Sequence, residues 1–371
     1  MRARLALVLL AACGEPAAHV QLAPVPLPGG CGLTTNKTSL RVIAFTPGGQ
    51  LRRTVPPTEI DAFPADTEQL GVEVVGGSTG LLAIGKTAVL EYGELAEGTQ
   101  IPILMVPPNG FCPVGALGEP RVAPLVARAG EGVLVAGGTG ASGEPLSSAE
   151  YFDPRAATFS AIEVPSLLVD AANGLAGAVL TELPDGRVAL SGTASHALTI
   201  FDPATRTFST PTLFDHRAYH GAVAPDDEHL FVIGGCADVV SGACATPYLR
   251  TGFSYELANV ANRTRGPTLD DNAARVGAHI ERIGLGASGE DEYVLVGGSG
   301  DADVADRFTI AGDSATTITG LHAQTVVLDG GALFSALDAD GTGQTGAASM
   351  AAPTATSATA MQLAPRLDGA R

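Results

Sequence analysis

Two stretches of this chain are nearly the same sequence. Residues 147–159 read SSAEYFDPRAATF and residues 196–208 read HALTIFDPATRTF. Phe-Asp-Pro, four further residues and a Phe therefore recur, with a spacing of 49 residues between Phe152 and Phe201. A fixed period of about 50 residues is typical of stacked β units, in which one supersecondary unit is copied along the chain. The repeat thus restricts the fold to an array of small β units.

Weaker copies of the same element occur elsewhere in the chain. The positions equivalent to Phe152 are Phe45, Tyr92, Phe152, Phe201, Tyr255, Phe308 and Ala351. Six of them follow an apolar run that ends in small residues, such as GVLVAGG at 132–138 and HLFVIGG at 229–235. A further strand-like run precedes each of these, joined by turn chemistry such as LPDGR at 183–187. We therefore predict a unit of four short antiparallel strands, named a, b, c and d in chain order.

This unit resembles the blade of the kelch family of β-propellers, which includes the galactose oxidase type. In that family strand b ends in Gly-Gly, and a variable loop leads to Glu-x-Tyr-Asp-Pro and then to Thr and Trp. The matching residues here are Gly137, Gly138, Glu150, Phe152, Asp153, Pro154 and Phe159, then Thr205 and Phe208 after Phe201, and Gly234 and Gly235 before Tyr255. The chain departs from the family in having no Trp, so Phe159 and Phe208 stand in its place.

The resemblance implies an all-β fold, a β-propeller of four-stranded antiparallel blades over residues 37–365, with a short tail at 366–371. The content of 47 Gly and 25 Pro with only 16% charged residues agrees with an all-β chain. Seven blades are preferred, and six stay possible because only six a–b pairs are clear. The hairpin at 39–55 either begins a seventh blade, with 20–36 supplying irregular inner strands, or covers a six-bladed ring.

The N-terminus reads MRARLALVLLAACG, with two Arg, a short apolar run and Leu-Ala-Ala-Cys. The run is too short to cross a bilayer, which takes about 20 residues. It resembles the lipobox of bacterial lipoproteins, which implies that residues 1–12 are a signal peptide and that Cys13 carries the lipid. Residues 13–36 would then include a tether, and the protein would lie in the bacterial cell envelope, on the outer membrane.

Export changes how the other cysteines are interpreted. Without Cys13 four cysteines remain, an even number in an oxidising compartment. Cys236 and Cys244 flank a Gly-containing loop and are predicted to form one disulfide, which leaves Cys31 and Cys112 to form the other. There is no Cys-x-x-Cys pair, so a zinc-cysteine or thioredoxin-type site has no support.

The charge excludes further classes of partner. A net charge of −18 repels nucleic acid and anionic lipid, so we expect no nucleic-acid partner and membrane contact only through the lipid anchor. We expect a monomer without a cofactor.

The sequence contains no group of residues with the spacing of a catalytic site or a metal-binding site. His216 and His220 lie four residues apart, but neither Asp215 nor Asp226 has a spacing that implies a third ligand, and kelch resemblance implies that His220 hydrogen-bonds within its blade. The turn DADGTG at 338–343 lacks the Glu of a calcium loop, since Ser349 stands at the twelfth position. We predict no metal site and no catalytic residue.

These observations favour a membrane-tethered, non-enzymatic recognition module whose ligand is a protein or a glycan. The alternative is an envelope enzyme acting on a sugar or sugar acid at the central channel, which would require at least three ionisable side chains at the channel mouth. The b–c and d–a connections are longer than the others and should lie on one face of the fold. Binding sites usually form on such loops. The candidate contacts on that face are His216, Arg217, Asp238 and Arg250.

Overall fold

The computed structural model describes residues 20–32, 39–55, 63–76, 80–87, 89–170, 172–269, 275–286, 288–298 and 304–319, together with the backbone of four strands between 325 and 361. Cys13, the segment 1–12 and the tail 366–371 lie outside the described residues, as does most of the turn 338–343. The described chain is all-β, and its helices are three 3-10 turns at Pro28–Gly30, Tyr92–Glu94 and Ser166–Leu168. None of its helices has the length and hydropathy needed to span a membrane.

The chain forms two compact units. The first comprises Met1–Ala116 and Asp153–Phe159, and the second comprises Leu117–Phe152 and Ser160–Arg371.

The first unit contains a six-stranded sheet with the order β1-β6-β5-β4-β2-β3. Its strands are β1 (Gln21–Pro24), β2 (Ser39–Thr46), β3 (Gly49–Val55), β4 (Gln69–Gly76), β5 (Gly80–Lys86) and β6 (Gln100–Val106). Phe45 lies on β2, in the hairpin with β3 that the sequence predicts, whereas Tyr92 lies on a 3-10 turn and is buried. Phe45 and the apolar run before Tyr92, on β5, therefore lie in one sheet, and the two N-terminal copies do not form separate four-stranded sheets.

Strand β1 falls within the segment that the sequence assigns partly to a tether. Gln21–Pro24 pairs in parallel with β6, and Leu22 opposes Ile101. Val20, Val25 and Leu27 are buried. Burial of these apolar side chains holds residues 20–27 in the first unit, so this part of the segment 13–36 is not a free tether.

The described part of the second unit forms five sheets in chain order, each with four strands that are hydrogen-bonded in sequence. The first sheet contains β7 (Leu125–Ala129), β8 (Gly132–Ala136), β9 (Ala149–Asp153) and β10 (Thr158–Ile162). The second contains β11 (Val179–Glu182), β12 (Val188–Ser191), β13 (Ala197–Asp202) and β14 (Thr207–Phe208), with β15 (Thr212–Leu213) also paired to β13.

The third sheet contains β16 (Gly221–Val223), β17 (His229–Ile233), β20 (Thr251–Glu256) and β21 (Asn259–Thr268), and a separate hairpin of β18 (Cys236–Val240) and β19 (Ala243–Tyr248) is inserted between β17 and β20. The fourth contains β22 (His279–Leu285), β23 (Asp291–Val296), β24 (Val304–Thr309) and β25 (Thr316–Thr319). The fifth contains β26 (Thr325–Val327), β27 (Leu333–Asp338), β28 (Thr345–Ala351) and β29 (Thr359–Met361).

The repeat position lies on the third strand of every one of these sheets, in a constant register. The pairs across strands b and c are Phe152 with Val133, Phe201 with Val188, Tyr255 with Leu230, Phe308 with Tyr293 and Ala351 with Leu333. In the first four sheets the partner on strand b stands four residues before the glycine that ends that strand. The a, b, c and d assignment is therefore confirmed for the five copies in the second unit.

Aromatic rings fill the space between consecutive sheets. The ring centroids of Tyr151 and Phe201 lie 5.8 Å apart and those of Phe231 and Phe308 5.4 Å apart, each pair joining two successive sheets. Phe214, which follows β15 in the connection to the third sheet, lies 4.8 Å from Tyr255 of that sheet. The buried apolar clusters likewise combine residues of two neighbouring sheets, such as Leu198 with Leu230. Apolar surface buried between neighbouring sheets contributes about 25 cal/mol per Å² and stabilises their packing.

The first strands of the five sheets lie side by side in chain order. Two residues before each of the first four of these strands, the backbone has a positive φ: 49° at Ala123, 81° at Gly177, 54° at Tyr219 and 75° at Gly277. The N–H of Tyr219 donates to the carbonyl of Gly177 over 2.7 Å, and the N–H of Gly277 donates to the carbonyl of Tyr219 over 2.7 Å. The same local conformation thus links one sheet to the next.

The Gly-Gly pair at the end of strand b is required by close packing. Gly235 has a φ of +80°, and a Cβ placed on it would lie 2.3 Å from the carbonyl oxygen of Ala218. Any side chain at this position would therefore clash with backbone as well as strain the left-handed conformation. Gly138 meets the carbonyl of Val122 in the same way in the first sheet, at 2.7 Å.

Candidate functional site

The long connections of the second unit meet at one end of its sheets. The side-chain oxygen of Asn173, in the connection from the first sheet to the second, accepts a hydrogen bond from the N–H of Gly242 over 2.8 Å. The hydroxyl of Tyr219, in the connection from the second sheet to the third, donates to the carbonyl of Gly242. Because Gly242 is at the tip of the β18–β19 hairpin, d–a connections and an inserted b–c loop form one surface.

A disulfide closes the hairpin that carries this tip. Cys236 and Cys244 are bonded, with Cα atoms 5.8 Å apart. In the first unit Cys31 and Cys112 are bonded, with Cα atoms 5.6 Å apart. Both cysteine pairs thus lie at disulfide distance in the pairing that the sequence predicts.

A cavity of about 930 Å³ lies beneath the hairpin. Its wall includes the starts of strands β7 and β11, the small residues around Gly177, and Val239 to Gly242 of the hairpin. The polar side chains on the wall are those of Thr139, Asn173, Tyr219, His220 and Ser241. Among the described residues that line it, none is Asp, Glu, Lys or Arg.

The two titratable side chains on this wall are uncharged at neutral pH. His220 is 1% exposed, and burial, reinforced by the nearby positive charge of Arg217, lowers its pKa to about 3. Burial raises the pKa of Tyr219 above its usual value, so the phenol stays protonated. A cavity with such a wall favours ligand groups without charge.

His220 is held by a contact that differs from the expected one. Its Nε2 lies 3.0 Å from the hydroxyl of Ser191, which ends strand β12 of the second sheet. The hydrogen bond therefore crosses to the neighbouring sheet instead of staying within the third. A Cβ on Gly192 would lie 2.3 Å from Cε1 of His220, so this glycine makes room for the imidazole.

Beside the cavity, His196 and His216 converge from two separate loops with Asp238 of the β18–β19 hairpin. Their ligand atoms all lie within 4.8 Å of one another. The ring centroids of His196 and His216 are 4.0 Å apart, and the planes are inclined by 34°. Burial and the adjacent His216 lower the pKa of His196, whereas the negative charges of Asp238 and Asp215 oppose this shift. His216 and Asp238 are exposed, and His196 is partly buried.

Sequence reasoning selected His216 and Asp238 but missed His196. It paired His216 with His220, four residues away, and the structure separates those two: His220 is buried and faces Ser191. His196 precedes His216 by 20 residues and belongs to the b–c loop of the preceding copy. The only available signal was that both loops occupy the same end of a four-stranded unit.

Arg217, also selected as a binding contact, is 2% exposed and forms hydrogen bonds within the third sheet. Its guanidinium donates to the carbonyl of Gly234 over 2.6 Å, just as Arg121 in the first sheet donates to Gly137 over 2.9 Å. Asp215 lies 3.7 Å away and balances its charge. The expectation that Arg217 contacts a ligand is thus corrected, because its side chain is enclosed between strands.

Arg250, the remaining candidate, follows the hairpin and is partly buried. Its carbonyl accepts a hydrogen bond from the N–H of Leu269 over 3.0 Å, which fixes its backbone beside the start of the next connection.

No family model matches this chain, and no curated protein matches it in sequence. Among solved structures, the chain is similar to that of YjhT, with a TM-score of 0.44 and 12% sequence identity. The match covers 80% of this chain and 95% of the other. A similarity of this size supports no inference about function.

Proposed function

We propose that the protein is a non-enzymatic recognition module built on a β-propeller. Support for the propeller comes from the constant b–c register, the aromatic packing between consecutive sheets and the adjacent first strands of the second unit. Five blades are the sheets of that unit. The preferred count of seven requires the six-stranded sheet of the first unit to supply two more, and a count of six requires one.

The observation that carries the functional proposal is the uncharged wall of the cavity. Hydrolysis or isomerisation of a sugar normally needs ionisable groups that exchange protons with the substrate, most often a pair of carboxylates. The described wall offers only Tyr219 and a neutral, buried His220. The ionisable side chains of His196, His216 and Asp238 converge beside this wall, and they include one carboxylate instead of a pair. The chemistry of this wall therefore favours binding over the alternative of an envelope enzyme acting on a sugar or sugar acid.

The ligand is a protein or a glycan that meets the end of the sheets where the hairpin lies. Two hydrophobic side chains of the hairpin are exposed, Val240 by 62% and Tyr248 by 46%. Exposed aliphatic and aromatic side chains on a rigid support contribute strongly to interfaces, and a Tyr ring also packs against sugars. The disulfide lowers the entropy that the hairpin loses on binding. Asp238, His216 and Arg250 supply polar contacts around it.

The proposal is tested by capture from envelope extract, with a glycan array as the second probe. We expect that Val240→Arg and Arg250→Glu reduce capture, because both change the hairpin end of the sheets. The matched control is Arg206→Glu, since Arg206 is an exposed arginine in a c–d turn. Loss of capture with the control alone would contradict the proposed surface, and turnover of a sugar acid by the purified protein would favour the enzyme.

We further propose that the module is a lipoprotein of the bacterial cell envelope, anchored through Cys13 on the outer membrane. This rests on the sequence Leu10-Ala11-Ala12-Cys13 after a short apolar run. Several acyl chains, each adding about 0.8 kcal/mol per buried CH₂, hold a protein firmly on a membrane. Cys13→Ala should abolish acyl labelling and release the protein from the membrane fraction. Unchanged retention of this variant would refute the anchor.

A further inference from the structure

We infer that His196, His216 and Asp238 form a binding site for a divalent transition-metal ion of the Zn²⁺ class. The two histidines belong to separate loops and Asp238 to strand β18, and the ligand atoms of the three side chains lie within 4.8 Å of one another. In the described part of the chain, this is the one group of three or more potential ligands at such distances. The site goes beyond the proposed recognition function and does not depend on it.

The donor set determines the class of ion. Two imidazoles and one carboxylate suit Zn²⁺, Co²⁺, Ni²⁺ and Cu²⁺, whereas Ca²⁺ and Mg²⁺ prefer oxygen ligands throughout. Around Zn²⁺ the nitrogen and oxygen ligands lie at about 2.0 to 2.2 Å, which places tetrahedral ligand atoms about 3.3 Å apart. The three atoms must therefore approach by about 1.5 Å or less, which side-chain rotations of exposed His216 and Asp238 can supply.

The backbone holds His196 in place. Its N–H donates to the carbonyl of Thr193 over 2.8 Å, and its own carbonyl accepts from the N–H of Phe214 over 2.7 Å. This second bond connects the loop of His196 to the segment that carries His216. Nδ1 of His196 is buried, and no hydrogen-bond partner is found for it among the described residues. The ring thus has a nitrogen that no protein group engages, in an environment where an unengaged polar atom is costly.

Asp238 is held by the disulfide-closed hairpin. It is on strand β18, two residues after Cys236, and it pairs in register with Ala245, next to Cys244. The disulfide therefore limits how far the carboxylate can move from the two imidazoles. Its neighbour Val239 lines the cavity, so the ion would sit at the edge of the proposed binding surface.

Three protein ligands leave a coordination position open. Because His216 and Asp238 are exposed, this position is accessible to water or to a donor atom of another molecule. The ion would also neutralise the charge of the carboxylate and join two loops to the β18–β19 hairpin.

The test measures metal binding by the purified protein, without an oligohistidine tag and after free thiols are blocked with iodoacetamide. We expect one equivalent of Zn²⁺ by equilibrium dialysis and elemental analysis, and visible d–d bands when Co²⁺ is bound instead. His216→Ala and Asp238→Asn, both at exposed positions, should each weaken binding by at least about tenfold. Thermal unfolding should shift upward with Zn²⁺ in the parent protein and not in these variants.

The matched control is His229→Ala. His229 is an exposed histidine whose Nδ1 lies 2.9 Å from Asp226, but no third ligand joins this pair among the described residues. The control should bind Zn²⁺ like the parent. Absence of stoichiometric binding in the parent, or equal binding by His216→Ala and Asp238→Asn, would overturn the inference. Circular dichroism of each variant verifies folding, and the two ligand variants serve as independent tests.

Discussion

Nε of Arg275 donates a hydrogen bond to Oδ2 of Asp306 over 2.9 Å, and both side chains are completely buried. Arg275 lies four residues before strand a of the fourth sheet. Asp306 lies on strand c of that sheet, two residues before the repeat aromatic Phe308. Arg121 and Glu150 stand at the same two positions of the first sheet and also lie 2.9 Å apart. The buried ion pair thus recurs as an internal brace in the first and fourth sheets.

Breaking this brace should destabilise the protein severely. Asp306→Ala removes the carboxylate that is paired with the buried guanidinium of Arg275, and removing one partner of a buried ion pair typically costs about 3 to 5 kcal/mol. The change is measured as the midpoint and slope of urea unfolding. Asp291→Ala removes the partner of exposed Arg282 and should have little effect. The double variant Arg275→Met with Asp306→Leu should recover much of the loss, and a double variant as unstable as Asp306→Ala would contradict this account.

The pH dependence of stability should report on His220. Its pKa is about 3 in the folded protein, below the usual 6.5, so the unfolded chain takes up a proton first as pH falls. Stability is therefore fully present above pH 6.5 and is lost between pH 6.5 and about 3, by up to about 1.4 kcal/mol per pH unit. Urea midpoints from pH 7.5 to 4 check this.

The comparison variant is His220→Gln, which keeps a polar group near Ser191 and cannot take up this proton. Its stability should fall less steeply with decreasing pH than that of the parent. Glu150 also makes the stability of both proteins fall with decreasing pH. Burial raises the pKa of Glu150, but hydrogen bonds from Gly118 and Arg121 outweigh burial and hold that pKa below its usual value. Parallel curves for the two proteins would show that His220 is not buried as a neutral ring.

Two glycines with similar backbones should respond differently to alanine. Gly235 and Gly289 have φ of +80° and +82°, but a Cβ on Gly235 would strike the carbonyl of Ala218, whereas one on Gly289 meets nothing within 4 Å. Gly289→Ala should cost about 1 kcal/mol from the left-handed conformation alone. Gly235→Ala should lower the free energy of unfolding by clearly more than Gly289→Ala does. Equal losses in thermal unfolding would argue against the close approach of these backbone segments.

Removing the hairpin disulfide should loosen the surface that carries Asp238. On the chain-entropy relation, a nine-residue loop contributes about 2.5 kcal/mol. The double variant Cys236→Ala with Cys244→Ala should lose stability of that order and show faster hydrogen exchange at Val239 to Gly242. Peptide mapping without reduction should find Cys236 joined to Cys244 and Cys31 joined to Cys112 in the parent. Unchanged exchange at the hairpin would mean that Asn173 and Tyr219 hold it without the disulfide.

Much of the second compact unit was predictable because its four-stranded sheets are copies of one sequence repeat. Phe201, Tyr255 and Phe308 each pack against the preceding sheet, so the same packing requirement recurs along the chain and the spacing reveals it. The cysteine pairing was predictable too, since Cys236 and Cys244 are separated by a short loop that can close on itself. The first unit repeats poorly, and β1 pairs there in parallel with a strand about 80 residues away, which no local pattern indicates.

The sequence by itself determined the order of the four strands in the repeated sheets, because each copy carries an apolar run that ends in small residues and then the repeat position at a similar spacing. The tertiary structure decided which side chains form sites. It enclosed Arg217 between strands and brought His196 beside His216. Loop residues follow no period, so their neighbours depend on which loops the folded sheets place at the same end, and that placement exists only once the apolar faces of the sheets have packed.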